Sequence, residues 1–211
     1  MRVHRIAGVA LVAGMVIAAG CKSKVVDKMA FRSALNNYYS GQQQCVWTAA
    51  VKLPAQADAS KDEQTRGFDA LTDAGLLTRK PEEKKRFLIG SKQVNDYDLS
   101  DKGRSVWTAD ATQPGYGNFC YGHPEVTSID GFTPPDDPDS TQFIVNYHYS
   151  VAHLPDWANN PEIKTAFPKM ASDTNGQETA TATLVKSGNG WSATNVQPAK
   201  PGAAVPAGST P

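Results

Sequence analysis

Net charge is the first thing this 211-residue chain lacks, since 21 basic side chains stand against 21 acidic ones. With no field of either sign to attract nucleic acid over distance, nucleic acid is not expected as a partner. Cysteine is scarce too: the chain has three, and although Cys120-Tyr121-Gly122-His123 has the spacing of half a metal or nucleophile site, no second Cys/His pair lies nearby to complete the four ligands that zinc needs. Of the four histidines, His148 and His153 are separated by an odd step on a strand pattern, so they point to opposite faces and make a poor metal pair. The acidic turn at Asp136, Asp137 and Asp139 has no glycine and distal Glu in calcium-loop order. There is no G-x-S-x-G elbow, phosphate-binding glycine loop or H-E-x-x-H helix. The sequence therefore assigns no catalytic residue, metal or cofactor.

A long apolar run is also missing. Crossing a bilayer takes about 20 apolar residues, and the stretch from Ile6 to Ile17 falls short before it meets Ala, Gly and then Cys21-Lys22-Ser23-Lys24. What is there instead is a basic start, Met1-Arg2-Val3-His4-Arg5, an apolar middle, and the small residues Ala18-Ala19-Gly20 ahead of Cys21. That is the pattern of an export signal removed from the mature protein. The junction resembles a bacterial lipobox, with Ala18 where that motif usually carries Leu. The resemblance implies that residues 1–20 are a lipoprotein signal peptide and that Cys21 is lipidated. Lys22, rather than Asp, implies sorting to the outer membrane, facing the periplasm. Acyl chains contribute about 0.8 kcal/mol per buried methylene, so the implied membrane contact is a firm lipid anchor. If Cys21 is acylated, Cys45 and Cys120 are the two thiols left in an oxidising compartment, and a disulfide between them is expected.

The mature chain reads as α+β. Residues 21–44 hold the anchor and a helix from Val25 to about Ser40, whose Met29, Phe31, Ala34, Leu35, Tyr38 and Tyr39 recur at helical spacing before Ser40-Gly41. Residues 45–120 form a second block, closed by the disulfide. It contains a helix over Asp62 to Ala74 that Gly75 caps, the charged run Lys80-Pro81-Glu82-Glu83-Lys84-Lys85-Arg86 as a solvated turn, and strands at Phe87-Leu88-Ile89 and Val94 to Leu99. A capped helical turn follows at Ser100 to Trp107. Residues 121–196 read as a small antiparallel sheet packed on that block, with strands at Val126 to Ile129, Thr141 to Val151 and Glu178 to Val185, and a hairpin over Ser187-Gly188-Asn189-Gly190. A helical excursion covers Pro155 to Phe167. From 197 to 211 Pro, Ala, Gly and Ser dominate, as in a disordered tail.

Two resemblances refine this reading. The order Leu71-Thr72-Asp73-Ala74-Gly75-Leu76-Leu77, two strands, then Tyr97-Asp98-Leu99-Ser100-Asp101-Lys102-Gly103-Arg104 resembles the end of winged-helix domains of bacterial regulators, over residues 68–107. Such domains imply DNA binding, yet here the helix carries Asp62, Glu63, Asp69 and Asp73 where a DNA reader carries basic side chains. A winged-helix-like block turned to protein contact is the expectation. The segments Asn118 to Gly122, Val126 to Thr133, Asn146 to Tyr149 and Leu154 to Ala158 resemble a group of uncharacterised proteobacterial lipoproteins, which implies a location and no activity.

Aromatic residues Tyr116, Phe119, Tyr121, Tyr147, Tyr149 and Trp157 are candidates to line a groove, although Tyr147 and Tyr149 share a strand face that a sheet would bury. Tyr116, Tyr121, His123 and Trp157 form the candidate binding surface. The expected activity is non-enzymatic binding to another envelope component, with an envelope protein as partner. The alternative is a hydrolase of peptidoglycan or glycan that uses His123 with an acidic residue.

Overall fold

The structure is a computed structural model that describes residues 28–85, 90–133 and 141–198. The expected signal segment, Cys21, the strand expected at Phe87-Leu88-Ile89 and the acidic turn at Asp136, Asp137 and Asp139 lie outside the described residues.

The chain begins with helix α1 (Lys28–Tyr39), followed by the short strands β1 (Gln44–Cys45), β2 (Val51–Lys52) and β3 (Ala55–Asp58). Helix α2 (Asp62–Asp73) leads into the hairpin β4 (Leu77–Lys85) and β5 (Ser91–Leu99), then α3 (Asp101–Val106) and β6 (Trp107–Ala109). The long strand β7 (Tyr116–Thr133) pairs with β8 (Gln142–Ala152). A 3-10 turn (Asp156–Asn159) and the helices α4 (Pro161–Ala166) and α5 (Pro168–Asp173) precede the final hairpin, β9 (Glu178–Ser187) and β10 (Gly190–Pro198). All strand pairs are antiparallel.

The expected α+β class with a small sheet is overturned. Strand accounts for 48% and helix for 29% of the described residues, and the dominant element is a curled seven-stranded antiparallel sheet that forms a half-barrel. Its order is β1-β7-β8-β9-β10, with β2 and β6 also paired on β7. The extra strands come from the segment read as helix and hairpin, where β1, β2 and β6 are two or three residues long. Strands that short show no alternation, so their pairing is set by β7 rather than by their own pattern. β7 also supplies the curl. It shifts register between Val126 and Ser128 and again between Ile129 and Gly131, and such bulges bend a strand and increase its twist.

A second sheet, in the order β3-β5-β4, holds another correction. From Lys80 to Lys85 the charged run expected as a turn is part of strand β4, paired residue by residue with β5 from Leu77↔Leu99 to Lys85↔Ser91, and Arg86 lies outside the described residues. β4 is an edge strand and exposed along most of its length, so it needs no apolar face. Its lysines and Pro81 are residues that protect an edge from further pairing.

α1 fills the concave face of the half-barrel. Phe31, Ala34, Leu35 and Tyr39, at helical spacing, are buried against Val126, Val145, Tyr147, Ala180, Ala182 and Leu184. Phe31 sits edge-on to Phe132 and Trp191. Burying each large side chain of this set contributes about 1.5–3 kcal/mol. A second buried cluster is separate from the one around α1. It joins α2, α4 and the smaller sheet to the first part of β7, with Phe119 packed between Trp47, Trp107 and Trp157. β7 contributes to both clusters.

The local stops follow residue chemistry. Gly75 takes φ +75 after α2, as a left-handed cap requires. The Ser100 side chain caps α3 by accepting from the Gly103 N–H at 2.8 Å. β10 continues to Pro198, two residues into the segment expected as a tail, because Gln197 and Pro198 still pair with Thr181 and Ala180.

Candidate functional site

α1 ends before the strands around it do, and the space left over is a cleft. At the helix end the Ser40 N–H donates to the Asn36 carbonyl, and Ser40 Oγ donates to the Asn37 carbonyl at 2.8 Å. β8 runs on past that point to Ala152, while β9 starts and β10 finishes at the same end. The cleft there has a volume of about 350 Å³ and is walled by Tyr38 and Tyr39 of α1, Tyr149 of β8, Glu178 of β9, Gln44 of β1, and Lys169 and Asp173 of α5.

One wall is aromatic. Tyr39 and Tyr149 stack with centroids 5.6 Å apart, and Tyr38 meets Tyr39 edge-on at 5.2 Å. Behind them the Tyr39 and Tyr147 hydroxyls share a hydrogen bond of 2.7 Å. Burial, then the bond to Tyr39, pushes the Tyr147 hydroxyl pKa well above its ordinary value.

The other wall is polar. The Tyr149 hydroxyl donates to Glu178 Oε2 at 2.6 Å, and the Tyr121 hydroxyl donates to Asp173 Oδ2 at 2.6 Å. Lys169, one helical turn before Asp173, also donates to Asp173 Oδ2, and it donates to Gln44 Oε1 at 2.9 Å. Burial first, and the accepting carboxylate second, raise the Tyr121 and Tyr149 pKa values. At neutral pH both phenols therefore remain protonated donors. Asp173 is neutralised by Lys169, whereas Glu178 has its hydrogen bond from Tyr149 and no ion pair among the described residues.

The structure contains the Cys45–Cys120 disulfide, which joins β1 to β7 across a sequence separation of 75. On the β1 side it is next to the cleft residue Gln44, and on the β7 side it is followed by Tyr121, whose hydroxyl reaches the cleft residue Asp173. The Tyr121 ring is buried, and only its hydroxyl is used, toward Asp173. Trp157 is buried against Phe119, and its Nε1 has no hydrogen-bond partner among the described residues. Tyr116 is partly exposed at the start of β7, opposite Lys52. His123 stacks on His153 with centroids 5.1 Å apart, while His148 Nδ1 lies 2.7 Å from Asp130 Oδ2. The neighbour of His123, Pro124, reaches the cleft. Among the described residues no group of three or more His, Cys, Asp or Glu is placed to hold a metal ion, and no helix is long and apolar enough to cross a membrane.

Tyr38, Tyr39, Gln44, Lys169, Asp173 and Glu178 are among the cleft residues that sequence reasoning missed. The one available signal was the Tyr38-Tyr39 pair, which places two aromatics at the end of an amphipathic helix where a single buried face has room for one. Fold and site together define a mostly β half-barrel wrapped on a helix, with a cleft of tyrosines and carboxylates at one end. No protein-family model matches the chain, and no curated protein or solved structure matches it either.

Proposed function

We propose that this chain is a lipid-anchored protein of the bacterial envelope, facing the periplasm from the outer membrane, and that it acts by binding another envelope component in the cleft at the end of α1. The observation that carries the binding half of this reading is the state of the polar groups there. Each hydroxyl facing a carboxylate is committed as a donor and has a raised pKa, which suits recognition by fixed hydrogen bonds better than proton transfer at neutral pH. The anchor half rests on the junction at Cys21.

The two halves are geometrically compatible. Lys28 follows Cys21 by seven positions, so the first turn of α1 lies at most about 25 Å from the anchor along the chain. The twelve residues of α1 then place the cleft about 18 Å further along the helix axis, at the end opposite the anchored one.

The test has two parts. Intact mass of the protein extracted from membranes should show a chain beginning at Cys21 with added acyl mass, and an unlipidated mass refutes the anchor. Titration with defined muropeptides, lipopolysaccharide core oligosaccharides and envelope-protein peptides, read by NMR, should then perturb Tyr38 and Tyr149 without turnover. Breakdown of a wall fragment that disappears in His123→Ala would instead establish the hydrolase alternative.

A further inference from the structure

We infer that the cleft receives an organic cation, namely a primary ammonium on an alkyl chain such as a lysine-like side chain of a peptide, with Glu178 as its counter-ion and the Tyr38–Tyr39–Tyr149 wall against its methylenes. The inference rests on the cleft being the binding site and adds the chemistry of what enters it.

The charges in the cleft do not cancel. Lys169 and Asp173 form a closed unit, because the ammonium is shared between Asp173 and Gln44 and the carboxylate also accepts from Tyr121. That leaves Glu178, which is half-buried and forms no ion pair among the described residues, the cleft's Lys169 being held by Asp173. Its Oε2 accepts from Tyr149, and the rest of its acceptor capacity is unused by any described partner. A partly buried carboxylate beside stacked aromatic rings attracts positive charge in two ways, through charge-assisted hydrogen bonds and through the ring faces. An anionic ligand would be repelled by Glu178. A neutral sugar could stack on the tyrosines, yet it would leave the carboxylate no better paired than before.

Shape points the same way. A volume of about 350 Å³ is at the small end for ligand sites and suits one extended side chain with its flanking amides. Gln42 and Gln44 lie at the rim, where they can donate to and accept from such amides.

The experiment uses the mature chain at low ionic strength and the probe Nα-acetyl-lysine-N-methylamide, compared with the same molecule acetylated at Nε. Binding is followed by NMR on the Tyr38, Tyr149 and Gln44 resonances. The charged probe should shift these resonances, lose affinity as salt is added, and bind Glu178→Gln about tenfold more weakly, in keeping with loss of a hydrogen bond to a charged group. Glu178→Asp, which keeps the charge, should fall between the two and serves as the readout if Glu178→Gln melts early. Equal binding of the Nε-acetylated probe, or unchanged affinity in Glu178→Gln, overturns the inference. If the charged probe is inert while a wall glycan shifts the same tyrosines, the cation inference fails and the cleft reading stands. If no probe or fragment shifts them, both fail.

Discussion

Opening the Cys45–Cys120 disulfide is the perturbation whose size follows most directly from the structure. The bond closes a loop with a sequence separation of 75, and in the chain-entropy description a loop of that length restrains the unfolded state by about 4.5 kcal/mol at 25 °C. Each kcal/mol moves the melting temperature of a 150–250-residue domain by about 2–4 °C, so removing the bond should lower it by about 9–18 °C. The effect should be global. β1 holds only two residues and pairs with β7, so the bond fixes the segment that follows α1 onto the strand that contributes to both clusters. The assay is thermal unfolding by circular dichroism of the protein, oxidised and reduced, alongside a Cys45→Ser/Cys120→Ser double variant. Reduction and substitution should give the same shift. A melt that stays within about 2 °C of the oxidised protein would refute the reasoning.

Three other outcomes are expected. Asp58 is 8% exposed and receives Lys92 at 2.9 Å and Ser60; the Lys92 bond first and the Ser60 hydroxyl second hold its pKa below the usual range. Its contribution is therefore complete above the ordinary carboxylate pKa and fades as pH falls below about 4, so the melting gap between wild type and Asp58→Asn should be constant near neutrality and narrow in acid. A gap that widens on acidification contradicts this. Tyr39→Phe and Tyr147→Phe should each cost about 1–2 kcal/mol in urea unfolding, because each strands a buried hydroxyl, and the double variant should cost less than their sum by about 1 kcal/mol. Strict additivity would show that the bond is not formed. Gly122 has φ +134, and a Cβ there would lie 2.2 Å from the Ala152 carbonyl oxygen, so Gly122→Ala should destabilise by about 2–4 kcal/mol, read as a lowered midpoint in the same urea experiment. Gly41→Ala, with nothing within 4 Å, is the matched control and should leave that midpoint in place.

Several elements were legible because a single short-range rule governs each. The 3.6-residue spacing of Phe31, Ala34, Leu35 and Tyr39 marks α1, Gly75 marks the end of α2, Ser100 caps α3, and Gly188-Asn189 turns β9 into β10. The size of the main sheet was hidden because β1, β2 and β6 owe their strand character to β7, which lies far from them in sequence. β4 was misread because sequence patterning detects burial, and an edge strand exposed along most of its length has almost none to detect. The cleft is drawn from segments near residues 38, 44, 149, 169–173 and 178, so no local motif could assemble it.

The cleft is a consequence of how the half-barrel is filled. A curled sheet buries its concave face only if something occupies the hollow, and here the occupant is a helix of twelve residues that stops at Tyr39. The wall beyond that stop cannot be purely apolar without leaving a dry void, and it cannot carry open carboxylates without losing their hydration. Tyrosine resolves both demands. Its ring continues the apolar lining from Tyr147 to Tyr149, and its hydroxyl reaches Glu178 or Asp173 at the point where the lining gives way to water. Lengthening α1 by one turn, with Leu in place of the cleft-lining Gln42, would drive an apolar side chain toward this space. Such a change should abolish ligand binding while leaving the Phe31 cluster intact, which separates the role of the cleft from the role of the helix that creates it.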